Sequence, residues 1–548
     1  MSAAAPATDP AVPPAAASPS QAGPSQLPVQ ATGLPWLGLT AVLMGTFIST
    51  LSGRFSTFAL SDIRGAMHAG FDEGAWITTA QTVAQMLVAP FAVWAGSIHG
   101  ARQILIASSL AFAVVSLVTP FAPNLQSLLT LQFIGGLASG CFIPLTLSFI
   151  LRVTPMNLWA YAVAVYALNL ELSLNISASL EGWYADHWSW HWIFWQNVPL
   201  ALIMAVCVHF GTQRLPPLPT PIRGDLFGVA SCSVGLALIY AALDQGNRLD
   251  WLNSGLVCGL LIAGGLLLGA FLLHELVTPN PWIDLKAFIN GPLPFLLLLI
   301  ALLRLTILST AILIPQYLGA VRGFRSFEVG HTLIWIAIPQ LVLCPISAFM
   351  LSRTDPRIAP SVGLICIAGA CLMVATGLTP SWGAEEFLPS QLLQAVGQSL
   401  ALSGIVFYCV LHIRPELILT FGAMLQIARL MGGEIGQAFI STLTRVREQH
   451  ASNLIGLHLQ AGAGDVVQRV QGYAAATSRS GIPNGNSGIA LLDRVVRGLA
   501  TTQGVIDAFV AIAAIVAFGL LILALLNPPP RGPASHRPLF ARLRGKPS

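Results

Sequence analysis

The chain has 548 residues, of which 55% are hydrophobic and only 9% charged, with a formal net charge of +4. Soluble domains carry about 25% charged residues, so this composition excludes a soluble globular protein, and nothing in it calls for a nucleic-acid partner. The apolar residues arrive in runs of about 20, the length that crosses a hydrocarbon core.

Residues 1–33 are rich in Ala, Pro, Ser and Gln and carry one charge, Asp9. They lack the basic start and short apolar core of a signal peptide and read as a disordered tail. Six predicted spans follow: Leu34–Phe58, Trp76–Ala95, Gln103–Phe121, Leu125–Leu151, Trp159–Leu180 and Trp192–Gly211. A Pro-rich loop at Leu215–Pro219 precedes a pair, Leu226–Leu243 and Leu252–His274. The segment Thr278–Leu285 holds too many prolines for a spanning helix and reads as an interfacial elbow with Trp282 at headgroup level. Six more spans are predicted at Leu293–Leu318, Val329–Leu351, Ile358–Leu378, Leu388–Leu411, Ile418–Leu443 and Val505–Leu526. The polar stretch Arg445–Gln503 reads as a surface loop with two short amphipathic helices around Val466–Val470 and Leu491–Val496, flanking a Gly/Ser/Asn-rich centre. The expected domains are therefore a tail (1–33), a six-helix half (34–212), a linker pair with its elbow (213–290), a second six-helix half (291–527) and a basic tail (528–548).

An even number of spans puts both termini on one side. That side gathers 13 basic residues in its short loops and C-terminal tail, against Arg64, Arg248, Arg322 and Arg325 opposite. The positive-inside rule then makes the termini cytoplasmic. The eight cysteines all fall in predicted spans and read as packing residues,. No histidine has metal-ligand spacing, and neither metal nor cofactor is expected.

Four ionisable residues interrupt the apolar runs: Arg54, Glu171, Arg304 and Arg429. At 1.5 Å per helical residue, the last three lie roughly 16–21 Å from the cytoplasmic side, near mid-bilayer. An ion at that depth costs several kcal/mol unless it faces a cavity or a partner. A polar cavity between the two halves, where secondary transporters hold substrate, is favoured over a purely structural ion pair. Glu171 is the first candidate to carry a proton, since desolvation raises a carboxylate's pKa. Glu434 is the second, although it falls off the Gln426, Arg429, Gly433, Gln437 stripe. Gln132, Asn175 and Tyr166 are further candidates for the cavity wall. The excess of cations leaves room for a cargo carboxylate or phosphate, with no dedicated carboxylate evident for Arg304 or Arg54. Asp72 and Glu73 before Trp76 read as a helix cap.

Several motifs carry a family resemblance. Trp190–Pro199 (WHWIFWQNVP) resembles the W-R-W-I-F-x-I-N-V-P entry to the sixth span of the 14-span branch of the major facilitator superfamily. Arg429–Gly436 resembles its R-x-x-G-G-x-x-G, Leu313–Leu318 the end of its ninth span, and Trp76–Ala80 the start of its second. The likeness runs from about Trp36 to Leu526 and is greatest to EmrB/QacA-type drug:proton antiporters. It implies an all-α polytopic membrane protein of 14 transmembrane helices arranged 6+2+6, in the bacterial inner membrane. It further implies proton-coupled efflux of drugs or amphipathic compounds by alternating access, in partnership with a periplasmic membrane-fusion protein and an outer-membrane channel. The coupling motifs depart from the pattern. The first-span L-D-x-T appears as Leu51-Ser52-Gly53-Arg54, the fourth-span R-x-x-Q-G begins at Gln132, and G-P-x-L-G-G becomes Ser177–Gly182. A receptor, a scaffold or an uncoupled facilitator is the alternative that these losses leave. An enzyme is not expected, because no nucleophile elbow, zincin, C-x-x-C or phosphate-loop motif occurs.

Overall fold

The computed structural model describes residues 35–58, 60–155, 158–211, 225–279, 281–283, 291–413, 418–459, 463–479 and 487–526, and the regular structure there is helical throughout. The N-terminal tail, the Pro-rich loop and many of the basic residues counted for topology lie outside these residues. Among the described residues, thirteen helices are long and apolar enough to cross a membrane. The first six are α1 (Pro35–Phe58), α2 (Trp76–His99), α3 (Ala101–Val118), α4 (Leu125–Leu151), α5 (Trp159–His187) and α6 (Trp192–Gly211). The linker pair is α7 (Leu226–Gly246) and α8 (Gly255–Val277). The last six are α9 (Leu293–Arg322), α10 (Ser326–Arg353), α11 (Ile358–Gly377), α12 (Leu388–His412), α13 (Ile418–Leu457) and α14 (Ser487–Leu525). Only α13 falls short of that apolarity among these fourteen, because Gln426, Arg429, Glu434 and Gln437 interrupt it, yet it packs among the spans against α9, α14, α4 and α2.

The two halves meet along α5 and α10, whose backbones touch where Gly330 faces Ser179: a Cβ on Gly330 would lie 2.6 Å from the Ser179 Cα. Nearest the chain termini the contact is a continuous apolar core. Phe149, Ile150 and Tyr166 from the first half pack there with Phe407, Tyr408 and Phe421 from the second. That core seals one end of the molecule.

Three expectations change. Residues 445–503 are not mainly a loop: α13 continues unbroken to Leu457, a helix runs from Gly464 to Arg479, and the second expected short helix is the start of α14. Polar sequence hid this, because a helix leaving the membrane loses its apolar stripe without losing its backbone hydrogen bonds. Trp282 is not an interface anchor; it is 3% exposed and packs against Phe271 in the core. Asp225 holds it there by accepting its backbone N–H at 3.3 Å. Of the acidic pair before Trp76, Glu73 caps the short helix Phe71–Gly74 through the Gly70 N–H, whereas Asp72 forms an ion pair with Arg248 at 2.7 Å.

Candidate functional site

Between the halves lies a cavity of about 270 Å³. It is lined by the second part of α1 (Ser49, Thr50, Gly53, Arg54), the first part of α2 (Thr78, Thr82, Gln85), the last turns of α7 (Tyr240, Asp244, Gln245) and the middle of α13 (Arg429, Gly433, Glu434, Gln437). Arg304 of α9 and Arg248 complete its charged wall. Every contributing helix supplies its middle or the part distal to the chain termini. The cavity therefore starts near mid-membrane and extends away from the sealed end. A second space of about 330 Å³ adjoins it and shares Asp244, Arg248, Glu434 and Gln437.

Each of the three deep arginines bridges the two halves. Arg54 on α1 donates from Nη2 to the Ala311 carbonyl of α9 at 3.4 Å. That carbonyl can accept because Pro315, four residues on, has no N–H to return to it, and α9 passes through a π-helical turn at Ser309–Leu313,. Arg429 on α13 donates to Gln426 Oε1 at 3.2 Å and to Thr50 Oγ1 of α1 at 3.3 Å. Arg304 on α9 faces Glu171 of α5 at 3.5 Å. This last pair corrects the expectation that Arg304 lacks a carboxylate: Glu171 and Arg304 are 133 residues apart in the chain, and only the packing of the halves brings them together. Glu171 is 1% exposed and sits behind Arg304, outside the cavity wall.

The remaining candidates separate. Glu434 lines the cavity together with Arg429, contrary to the helical-stripe argument, because the cavity takes in a wide arc of α13: Leu430, Gly433 and Gln437 line it as well. Asn175 instead belongs to a buried amide cluster, donating to Gln398 at 3.0 Å and Gln340 at 3.3 Å, and so ties α5 to α10 and α12. Tyr166 is fully buried in the sealing core. Gln132 lines a separate small pocket with Ser52, Gln81 and Asn197. Asp244 is the ionisable residue of α7 in the cavity wall that sequence reading missed. It lies at the end of a span in the linker pair, so neither its depth nor its membership of a six-helix half marked it.

The Major Facilitator Superfamily profile matches residues 42–437. The chain belongs to that superfamily. It is a multi-pass membrane transporter and not an enzyme. It is 24% identical over 504 residues to the fatty acid resistance protein FarB of Neisseria gonorrhoeae, covering 92% of this chain and 98% of that one. It is also 24% identical over 409 residues to the multidrug export protein EmrB of Escherichia coli K12, covering 74% and 80%. Among solved structures it is similar in fold to the human organic anion transporter MFSD10, at a TM-score of 0.55 and 12% identity, covering 91% of this chain and all of that one. The xylose transporter XylE of E. coli is comparable, at a TM-score of 0.54 and 9% identity, with 91% and 99% covered.

Within this superfamily the chain's departures become spatially coherent. Ser52 and Gln132, the two positions where the motifs place a carboxylate and an arginine, face the same small pocket. Both charges are gone together.

Proposed function

We propose that this protein exports amphipathic organic compounds across the bacterial inner membrane in exchange for protons, by alternating access, with both termini in the cytoplasm. The named relatives support export, and the fatty acid resistance relative fits a cargo with an anionic head. Cytoplasmic termini rest on the positive-inside count. A periplasmic membrane-fusion protein and an outer-membrane channel are the partners that the relatives' type suggests, and the helical projection of α13, Gly464–Arg479 and α14 is their docking candidate.

The observation that carries the reading is the Glu171–Arg304 pair, which joins the two halves at mid-membrane with Arg304 facing the cavity. A proton on Glu171 breaks it. A cargo anion on Arg304, held by a bidentate guanidinium contact, also breaks it. The carrier with neither ligand keeps its halves tied, and that is the state an exchanger must hold still.

Glu171→Gln tests this in proteoliposomes. It should abolish pH-driven flux and leave cargo–cargo exchange largely intact, because the empty carrier is then no longer locked. Flux driven by a pH gradient at the native rate in that variant would move coupling away from Glu171. Ligand binding by the wild-type protein without any flux would favour the receptor reading.

A further inference from the structure

The Glu171–Arg304 pair does not by itself keep proton and cargo apart. An anion on Arg304 displaces the Glu171 carboxylate, which in a buried site then favours taking a proton as well. Mutual exclusion needs a second carboxylate that the cargo itself covers.

The linker helix supplies the setting for one. Its last turns place Tyr240 and Asp244 one above the other on a single face. The Tyr240 hydroxyl and Glu434 of α13 share the cavity wall. Asp244 accepts from Thr79 of α2 and, at 3.1 Å, from Gln245. Asp244 is thus already served by two donors, whereas Glu434 is not. Glu434 is 4% exposed, lines both spaces, and its Oε1 has no hydrogen-bond partner among the described residues. A buried carboxylate oxygen aimed into a polar cavity calls for a cation.

We propose that Glu434 and Asp244 form a subsite at the cavity's mouth for an ammonium group. Together with the arginines deeper in, this subsite fits the whole cavity to a zwitterionic amphipath. Arg429 and Glu434 are five residues apart on α13, about 7.5 Å along the axis, so the ligand's opposite charges stand at a comparable separation. The groups facing Glu434 are Arg54 from α1, Tyr240 and Asp244 from α7, Arg248 just beyond its end, and Arg429 on its own helix; α2 adds the neutral Thr82. An ammonium here and a proton contest one oxygen, which supplies the exclusion. The linker helix thereby becomes a wall that reads cargo. This inference rests on the transport reading above and extends it to the cargo's second charge.

The test uses the full chain in nanodiscs, with labelled decanoate as the reporter. Unlabelled decanoate and N-decyl-β-alanine, whose ammonium keeps N–H donors and whose anion is likewise a carboxylate, compete for it. Wild type should bind the zwitterion more tightly than the carboxylate. Asp244→Asn and Glu434→Gln should each cut the zwitterion-to-carboxylate affinity ratio about tenfold, the scale of one charge-assisted contact, while Asp244→Glu restores it. An unchanged ratio in both neutral variants overturns the proposal, whether or not overall affinity falls, and leaves the anion reading standing. Wild type that binds no decanoate overturns both readings.

Discussion

At the residue scale, the buried charges behave as matched sets. Glu171 and Arg304 are each worth more to the fold paired than alone, because removing one strands the other in a low-dielectric interior. Breaking such a pair costs about 3–5 kcal/mol, whereas replacing both partners with neutral groups is often nearly neutral. Arg304→Gln should therefore melt well below wild type in detergent, and Glu171→Gln/Arg304→Gln should recover most of that loss. A double variant no more stable than Arg304→Gln would show that the two do not pair. For transport, Arg304→Gln should weaken anionic cargo more than neutral cargo. Lys at that position should recover part of the affinity, since it restores charge without the planar fork. Equal losses for both cargo classes would make Arg304 structural only.

At the element scale, the linker pair is fastened at its terminus-side end by Asp225. Its Oδ1 accepts the Gly228 N–H at 2.8 Å as the N-cap of α7 and meets His274 Nε2 of α8 at 2.7 Å. Burial alone would raise the Asp225 pKa, but the hydrogen bonds from Gly228, Glu275, His274 and the Trp282 backbone together hold it below the ordinary 3.8. The folded value lies under the unfolded one, so this contribution is fully present above pH 3.8 and is lost as pH falls through the folded value. Hydrogen exchange at the start of α7 should accelerate below that range in wild type. Asp225→Asn should exchange faster already at neutral pH, with the acid-dependent step removed. Identical profiles in the two proteins would mean that the cap carries no ionisation-linked stability.

At the scale of the whole molecule, the sealed end is held where Gly422 of α13 lies against the Pro144 carbonyl of α4, a contact that any Cβ would break. Gly422→Val should pry those helices apart and bias the carrier toward opening on the terminus side. In a background where Cys409 is the sole cysteine, its alkylation should become faster in that variant, because Cys409 is now wholly buried in the sealing core. No change in rate would place the seal elsewhere. Topology is checked separately: a cysteine replacing Ser487 should react with an impermeant reagent added outside intact cells. Reaction only after permeabilisation would invert the orientation.

The sequence by itself determined the solvent, the spans and the helical class, because a run of about 20 apolar residues has one stable state in hydrocarbon. It also marked Arg54, Arg304, Arg429 and Glu171, since a charge inside an apolar run stands out against its neighbours. The partners of those charges were not legible. Glu171 meets Arg304, Arg54 meets the Ala311 carbonyl that Pro315 leaves without its helical donor, and Glu434 shares a wall with Asp244 from a linker helix. Each of these meetings depends on how two halves and α7 pack around a common space, and no local periodicity encodes that. Asn175 and Tyr166 show the same limit from the other side. A polar residue on a span can face cargo or close an interface, and only the neighbouring helices, here α10 and α12 for Asn175 and the sealing core for Tyr166, decide which.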